Sequence, residues 1–320
     1  MAARFVEANG IRMRIVEEGH GPLVVLLHGF PESAYSWRHQ VPALAAAGYR
    51  VVAPDQRGYG ETEAPPQIED YDIFHLTSDV AGLLDALGEA RAVVVGHDGG
   101  ALVAWWSALL RPERFRAVAA LSVAWTGRAP APPTEIFRAI AGDGFFYILY
   151  FQAPGVAETE LEREIRRSLR LVLHSASGEA LAGTTLLQKP KGAGFLDGLP
   201  EPKELSPWLT ESDLDHYTRD FERSGFRGPI NWYRNFDRNW ELTRDLPDHR
   251  IGQPALFVVG DRDPVLGFTP LHRMEELVPS LRPIVRLPGC GHWTQQERPE
   301  EVNAQLIRFL RSLQLWDAPA

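Results

Sequence analysis

The stretch Ala92-Val93-Val94-Val95-Gly96-His97-Asp98-Gly99-Gly100-Ala101-Leu102 decides the fold. Its opening apolar run suits a strand buried on both faces of a sheet. Small residues stand two positions before Asp98 and two and three positions after it. That spacing makes a nucleophile elbow, a sharp turn from strand into helix. The turn brings two backbones close together, which only small neighbours allow. The helix that follows puts the partial positive charge of its N-terminus beneath the Asp98 side chain.

Continuous apolar runs of the same kind recur at Leu23–Leu27, Arg50–Ala53, Ala117–Leu121 and Ala255–Val259. Helical periodicity fills the gaps, at about Trp37–Ala46, Ile73–Leu87 and Gly100–Leu110. This alternation predicts an α/β fold with a parallel sheet and helices on both faces. Before it, Arg4–Ala8 and Ile11–Glu17 flank Asn9-Gly10, which suits a tight hairpin turn. A strand near Pro283–Leu287 and a helix over about Pro299–Leu313 close the chain.

The rhythm breaks between about Gly127 and Asp245. That stretch opens on Arg128-Ala129-Pro130-Ala131-Pro132-Pro133 and carries charged helical runs such as Glu158–Leu173. Its Lys189–Pro202 piece reads as loop. The expectation is a helical cap over residues 128–245, inserted into a core made of residues 1–127 and 246–320.

Bulk properties narrow the classes. The 320 residues suit one core with a large insertion. A formal net charge of −9 argues against nucleic acid as a partner. Cys290 is the single cysteine, so no disulfide forms within the chain and no cysteine cluster holds a metal. The start lacks a basic segment followed by an apolar one, and no stretch is apolar for long enough to span a bilayer. A soluble, cytoplasmic protein without membrane association is expected.

An aspartate at the elbow sets the chemistry. In the esterase version that residue is serine. A carboxylate attacking an acyl carbon gives an unstable anhydride. A carboxylate displacing a leaving group at a saturated carbon gives an ester, which water can then cleave. The substrate should therefore carry an electrophilic saturated carbon, as an epoxide or an alkyl halide does. Asp263 follows the strand Ala255–Val259, and His292 lies late in Gly289-Cys290-Gly291-His292-Trp293. The order Asp98, Asp263, His292 is that of nucleophile, acid and histidine. Histidine can take a proton from water while an aspartate fixes its tautomer. Asp261 is a second candidate acid, ranked below Asp263. A structural role suits His39, His75, His216, His249 and His272. The loop His28-Gly29-Phe30-Pro31 can offer the Phe30 N–H to an oxyanion hole, with the Gly99 N–H as the other donor. Pro31 shapes that loop, with a cis bond as one route.

The chain resembles the soluble epoxide hydrolases of the α/β-hydrolase fold, and it resembles only their hydrolase domain. The resemblance rests on His28-Gly29-Phe30-Pro31-Glu32-Ser33, Asp55-Gln56-Arg57-Gly58-Tyr59-Gly60 and Gly96-His97-Asp98. It continues through Tyr147–Glu158, Gly225–Asn235 and Gly291-His292-Trp293-Thr294-Gln295. It implies a mostly parallel, eight-stranded sheet. It also implies that Tyr147 and Tyr233 hydrogen-bond the epoxide oxygen. Ring opening leaves an alkoxide, far more basic than a phenol of pKa about 10, so a paired phenol acts as general acid. Packing alone suits Tyr150, Trp232 and Phe236. The resemblance further places Phe30, Pro31, Val123, Phe151, Val265, Leu266 and Trp293 around the substrate. The partners it implies are a small-molecule epoxide and water, with no cofactor and no metal, in a monomer or homodimer.

Two positions depart from the family pattern. Many members have tryptophan after the nucleophile, where this chain has Gly99. Many have tryptophan after Pro-Glu-Ser, where it has Ala34. If Ala34 faces the cavity, as Gly99 should, the pocket gains room for bulky or disubstituted epoxides; refilling by neighbouring side chains is the alternative. Gly99 also disfavours a haloalkane dehalogenase, which commonly uses a tryptophan there to hold halide. Fluoroacetate dehalogenases commonly carry arginine at that position. A non-catalytic scaffold on this fold has little need of both the triad and the tyrosines.

Overall fold

The computed structural model describes residues 2–180, 188–246 and 248–313. One eight-stranded sheet organises it. Its strands are β1 (Ala2–Ala8), β2 (Ile11–Glu18), β3 (Leu23–Leu27), β4 (Arg50–Pro54), β5 (Ala92–His97), β6 (Phe115–Leu121), β7 (Ala255–Gly260) and β8 (Val285–Leu287). They lie in the order β1-β2-β4-β3-β5-β6-β7-β8. The pairs β1–β2 and β2–β4 are antiparallel, and the remaining pairs are parallel. Asn9 and Gly10 both take positive φ, 51° and 77°, as a tight primed hairpin requires.

The apolar runs divide between the two faces of the sheet. Leu23, Val25, Leu27, Val94 and Ala120 enter one buried cluster. Val24, Leu26, Val93, Val95 and Ala119 enter the other. Strands must be apolar throughout when both faces are covered, which is why they lack the usual alternation. Helices α1 (Gln40–Ala46), α2 (Ile73–Ala86) and α3 (Gly99–Leu110) follow β3, β4 and β5 in the chain, close to the spans read from periodicity. The first reading began too early, because Ala34–Trp37 forms a separate 3-10 turn. The last helix spans Pro299–Arg311.

Helices dominate between β6 and β7. They are α4 (Pro133–Ala141), α5 (Tyr147–Tyr150), α6 (Val156–Glu162), α7 (Ile165–Ser175), α8 (Glu211–Ser224), α9 (Arg227–Arg234) and α10 (Phe236–Leu242). A two-residue pairing of Phe145–Phe146 with Gln188–Lys189 is added to them. The charged run Glu158–Leu173 belongs to two helices and not to one. Glu164 leaves helical geometry at φ −145°, ψ 76°, and the Ser168 hydroxyl takes up the freed Leu161 carbonyl at 2.9 Å. Part of the Lys189–Pro202 reading overlaps that short pairing at Lys189. The apolar faces of these helices join the first cluster through Leu161, Leu169, Phe221 and Ile230.

Topology places the site. The chain leaves β3 toward β4 on one side, while β5 lies on the other. A crevice opens at such a reversal, beyond the carboxyl ends of the strands. Leu27 pairs with Gly96 there, so the loop after β3 and the elbow after β5 are neighbours. No helix among the described residues is long and apolar enough to cross a membrane.

Candidate active site

Asp98 takes φ 51° and ψ −119°, a conformation that L-residues rarely adopt. Its surroundings leave it no alternative. A Cβ on Gly96 would collide with the Gly100 backbone, and one on Gly100 would collide with the carbonyls of Leu27 and His28. A Cβ on Gly29 would strike the Asp98 side chain itself. The strained aspartate is thus clamped by three close approaches that only glycine permits. Its side chain is 14% exposed, toward a cavity.

Three loops from the carboxyl ends of parallel strands converge on it. The Phe30 N–H, after β3, donates to Asp98 Oδ1 at 2.9 Å. The Phe30–Pro31 bond is cis. His292 Nε2, after β8, stands 3.4 Å from Asp98 Oδ2. Asp263, after β7, receives His292 Nδ1 at 3.0 Å on each carboxylate oxygen. Asp263 is itself held by the Val265 N–H at 2.9 Å. Asp261 is exposed and accepts from the Gly289 N–H at 2.7 Å, so it ties down the loop without reaching His292. The Gly99 N–H, in the first turn of α3, has no acceptor within its own helix.

The charges follow from this arrangement. Burial alone would raise the Asp98 carboxyl, but His292, His97 and the Phe30 N–H outweigh it and lower Asp98 below the usual aspartate value. Burial alone would lower His292, but the carboxylates of Asp263 and Asp98 raise it well above the usual histidine value. Both directions favour the ion-paired form, with the His292 ring set between the Asp98 and Asp263 carboxylates.

The cavity above Asp98 has a volume of about 540 Å³. Tyr147 from α5 and Tyr233 from α9 both line it, with ring centroids 5.9 Å apart. Neither hydroxyl has a protein partner among the described residues. Burial and then the Asp98 charge push both phenols well up, so both keep their protons. Tyr150 differs, since its hydroxyl is taken by Glu160 at 2.8 Å.

Phe30, Val123 and Val265 also line the cavity. The lining does not include Pro31, Phe151, Leu266 or Trp293. Phe151 is fully buried behind the tyrosines, edge-on to Tyr147 and Tyr233 at 5.7 and 5.2 Å. Trp293 is turned to α7, where its Nε1 donates to the Leu173 carbonyl at 2.7 Å. Trp232 and Phe236, read as packing residues, form part of the wall. None of His39, His75, His216, His249 and His272 lines the cavity.

The two departures from the family pattern separate here. Gly99 faces the cavity, and a Cβ there would rest 3.5 Å from the Trp232 ring. Trp232 thus refills part of the space from the other side. Ala34 does not face the cavity: it is buried in the cluster beneath the opposite face of the sheet, with its N–H on Asp55 Oδ1 at 2.9 Å. The small residue at Ala34 adds no volume to the pocket.

Sequence reasoning missed a support behind the histidine. The buried Glu32 carboxylate receives the Gly29 N–H at 3.1 Å, Gln295 Nε2 at 2.9 Å and Gln296 Nε2 at 2.8 Å. It also meets His97 Nδ1 at 2.7 Å, and His97 Nε2 donates to the His292 carbonyl at 2.7 Å. Ser122 Oγ donates to the same carbonyl at 2.7 Å. His28 is neutral: its Nδ1 donates to the Gly29 carbonyl, its Nε2 accepts from the Gln56 N–H, and burial lowers its pKa. The signals available were a charged residue two after Phe30 and a histidine inside an otherwise apolar strand. Neither says what it pairs with. Among the described residues no three His, Cys, Asp or Glu side chains cluster as a metal site.

Comparison with known proteins gives the family. A family model described as the alpha/beta hydrolase fold matches residues 22–299. Epoxide hydrolase A of Mycobacterium tuberculosis is 52% identical, covering 98% of each chain. Bifunctional epoxide hydrolase 2 of Rattus norvegicus is 42% identical over 95% of this chain, which spans 54% of that longer protein. The crystal structure of epoxide hydrolase A from Mycobacterium thermoresistibile superposes with a TM-score of 0.93 at 55% identity, covering 97% of this chain and 98% of that one. An epoxide hydrolase from an endophytic Streptomyces gives 0.94 at 46% identity, covering 98% and 96%. Elbow, triad geometry, tyrosine pair and these likenesses over nearly the whole length agree: the chain belongs to the α/β-hydrolase fold family and, within it, to the epoxide hydrolases.

Proposed function

We propose that this chain converts epoxides to vicinal diols through an ester on Asp98. One observation carries the reading. Two unpartnered phenols share a cavity with a carboxylate backed by an imidazole–carboxylate pair. Phenols suit a developing alkoxide, whereas halide would call for N–H donors beside the nucleophile, and Gly99 brings no side chain. Residues 128–245 act as the cap that brings the phenols, and residues 1–127 and 246–320 as the core that brings the nucleophile and the base.

The reaction has two stages. Asp98 attacks an epoxide carbon, the C–O bond breaks, and the oxygen takes a proton from the Tyr147–Tyr233 pair. The Asp98 charge that held both phenols up disappears as the ester forms, so proton release becomes easier as the ring opens. The same loss removes one of the two anions holding the His292 proton. That proton moves to the phenolate, which leaves His292 neutral. His292, oriented by Asp263, then takes a proton from water as the water attacks the ester carbonyl. The Phe30 and Gly99 N–H groups hold the oxyanion. Collapse returns the Asp98 carboxylate, the diol and the imidazolium, so the proton ledger closes. No cofactor or metal enters any step; the partners are a small epoxide and water, and the chain works as a monomer or homodimer.

A single turnover in heavy-oxygen water tests the ester. With styrene oxide and excess enzyme, the first diol should draw its new oxygen from Asp98 and carry little solvent label. Full label in the first diol would contradict the covalent route.

Gly99 gives a second expectation. A tryptophan there has to share space with the Trp232 ring, which already lies in van der Waals reach of the Gly99 Cβ position. Gly99→Trp should cost a disubstituted epoxide about tenfold more in kcat/KM than a small terminal one. Equal losses for both substrates would show that this corner of the cavity does not meet the substituents.

A further inference from the structure

The histidine base has a second set of fastenings besides its gripped carbonyl. The N–H groups of Gly291, His292 and Trp293 follow one another along the loop after β8, and each is taken. His292 N–H donates to the Ala176 carbonyl at 2.8 Å. The other two donate to a single carboxylate, Glu297, at the end of the short helix Thr294–Glu297. Gly291 N–H reaches its Oε2 at 2.9 Å, and Trp293 N–H reaches its Oε1 at 3.1 Å. Gly178 N–H reaches the same Oε2 at 2.9 Å.

Ala176 and Gly178 do not belong to the core. They follow α7, in the stretch that brings the cap helices. Two further bonds run the same way, from Trp293 Nε1 to the Leu173 carbonyl and from Arg262 Nη1 to the Gly178 carbonyl, at 2.7 and 2.8 Å. The backbones themselves touch, since a Cβ on Gly291 would collide with the Gly178 nitrogen and the Ala176 carbonyl. The base loop is thus fastened to the end of α7, and Glu297 holds both at once. Glu297 is buried, and its three partners are all main-chain N–H groups. Burial raises its carboxyl above the usual glutamate value, although the three donors and the His292 charge each pull it down. It touches no reacting atom. A carboxylate kept out of water at a cost, and bonded to the main chain on both sides of one residue, fixes that residue's place.

We infer that Glu297 is a positioning residue for the water step: it ties the loop carrying His292 to the end of α7, so that the cap aims the base as well as bringing the phenols. This deepens the reaction proposed above and rests on it for the step affected. Attack by Asp98 needs the elbow and the phenols, whereas cleavage of the ester needs His292 aimed at water.

Glu297→Gln keeps the volume and tests the idea. An amide has one acceptor oxygen, so its NH2 group faces at least one of the three N–H groups and that tie is lost. Rapid-quench measurement with saturating styrene oxide should find ester formation within about twofold of the unaltered protein and ester decay about tenfold slower, because a slightly misplaced base loses that much. Glu297→Asp keeps an acceptor-only group on a shorter arm. It should fall in between, and it carries the test alone should the amide variant fail to fold. A merely structural role would lower the melting temperature or the active fraction and leave both rate constants unchanged. That result overturns the proposal, and so does equal slowing of the two steps. The imidazole nitrogen NMR signals of His292, assigned by their loss in His292→Gln, give a readout without turnover. They should move in both Glu297 variants, and signals unmoved in both overturn the proposal as well. If they move but the unaltered protein forms no ester from styrene oxide, the ester reading fails and the positioning role stands. If the unaltered protein forms and cleaves the ester and the Glu297 variants match its rates, the positioning role fails and the ester reading stands.

Discussion

With His292 changed to glutamine, the enzyme should stall after one chemical step. Asp98 keeps its Phe30 N–H donor and its place on the elbow, and the phenols are untouched. Attack on the epoxide can still occur. What is lost is the group that deprotonates water, and with it the imidazolium that returns a proton to the phenolate. Steady turnover should fall on the order of 10³- to 10⁴-fold, the usual worth of a positioned general base together with its coupled groups. Intact mass spectrometry should find the protein heavier by one whole epoxide, because ring opening adds the substrate without expelling any part of it. The peptide bearing Asp98 should carry the added mass. Recovery of unmodified protein after long incubation with epoxide would mean that His292 is needed for attack as well as for hydrolysis.

The tyrosines should give the opposite signature. Tyr147→Phe or Tyr233→Phe removes one donor while keeping the ring packed, so each should slow ester formation by roughly 10- to 100-fold. Removing both leaves the alkoxide without a donor in a buried cavity, and the loss should exceed 10³-fold. Rapid-quench measurement would show no accumulated ester in the double variant, because the slowed step is the first. A double variant that still forms ester at the original rate would exclude the phenols as acids. Non-additive single and double effects are expected, because the two hydroxyls serve one oxygen.

The parts of this molecule that were readable in advance share one property: their signals are local. β3, β5 and β7 announce themselves because only a doubly covered strand is apolar at every position. Asp98 is legible because steric exclusion around an elbow fixes glycine at Gly96 and Gly100. The order of Asp98, Asp263 and His292 follows from strand ends that the topology brings together. What stayed hidden depends on contacts between distant residues. Glu32 meets His97 and Gln296, 65 and 264 residues away in the chain, and nothing in the neighbourhood of Glu32 names either partner. Phe151 and Trp293 are large and apolar, yet whether such a ring lines a cavity or backs its wall is decided by one helix packing on another. Ala34 was ambiguous for the same reason, since a 3-10 turn rotates it beneath the sheet. Periodicity also cannot see the break at Glu164, where the hydrophobic pattern runs on through two helices.

The carbonyl of His292 is gripped from two sides, by His97 Nε2 and by Ser122 Oγ. In the reaction proposed above, a base held in this way has little slack with which to follow differently shaped esters. Versatility has to reside in the other half of the molecule, in the walls built by α4 and α10. For anyone reshaping selectivity, this divides the labour cleanly. Libraries at Ile136, Phe137, Ile140 and Phe236 explore new substrates, while the hydrolytic half is inherited unchanged. Substitutions at Ser122 or His97 would instead blur the aim of the base for every substrate at once.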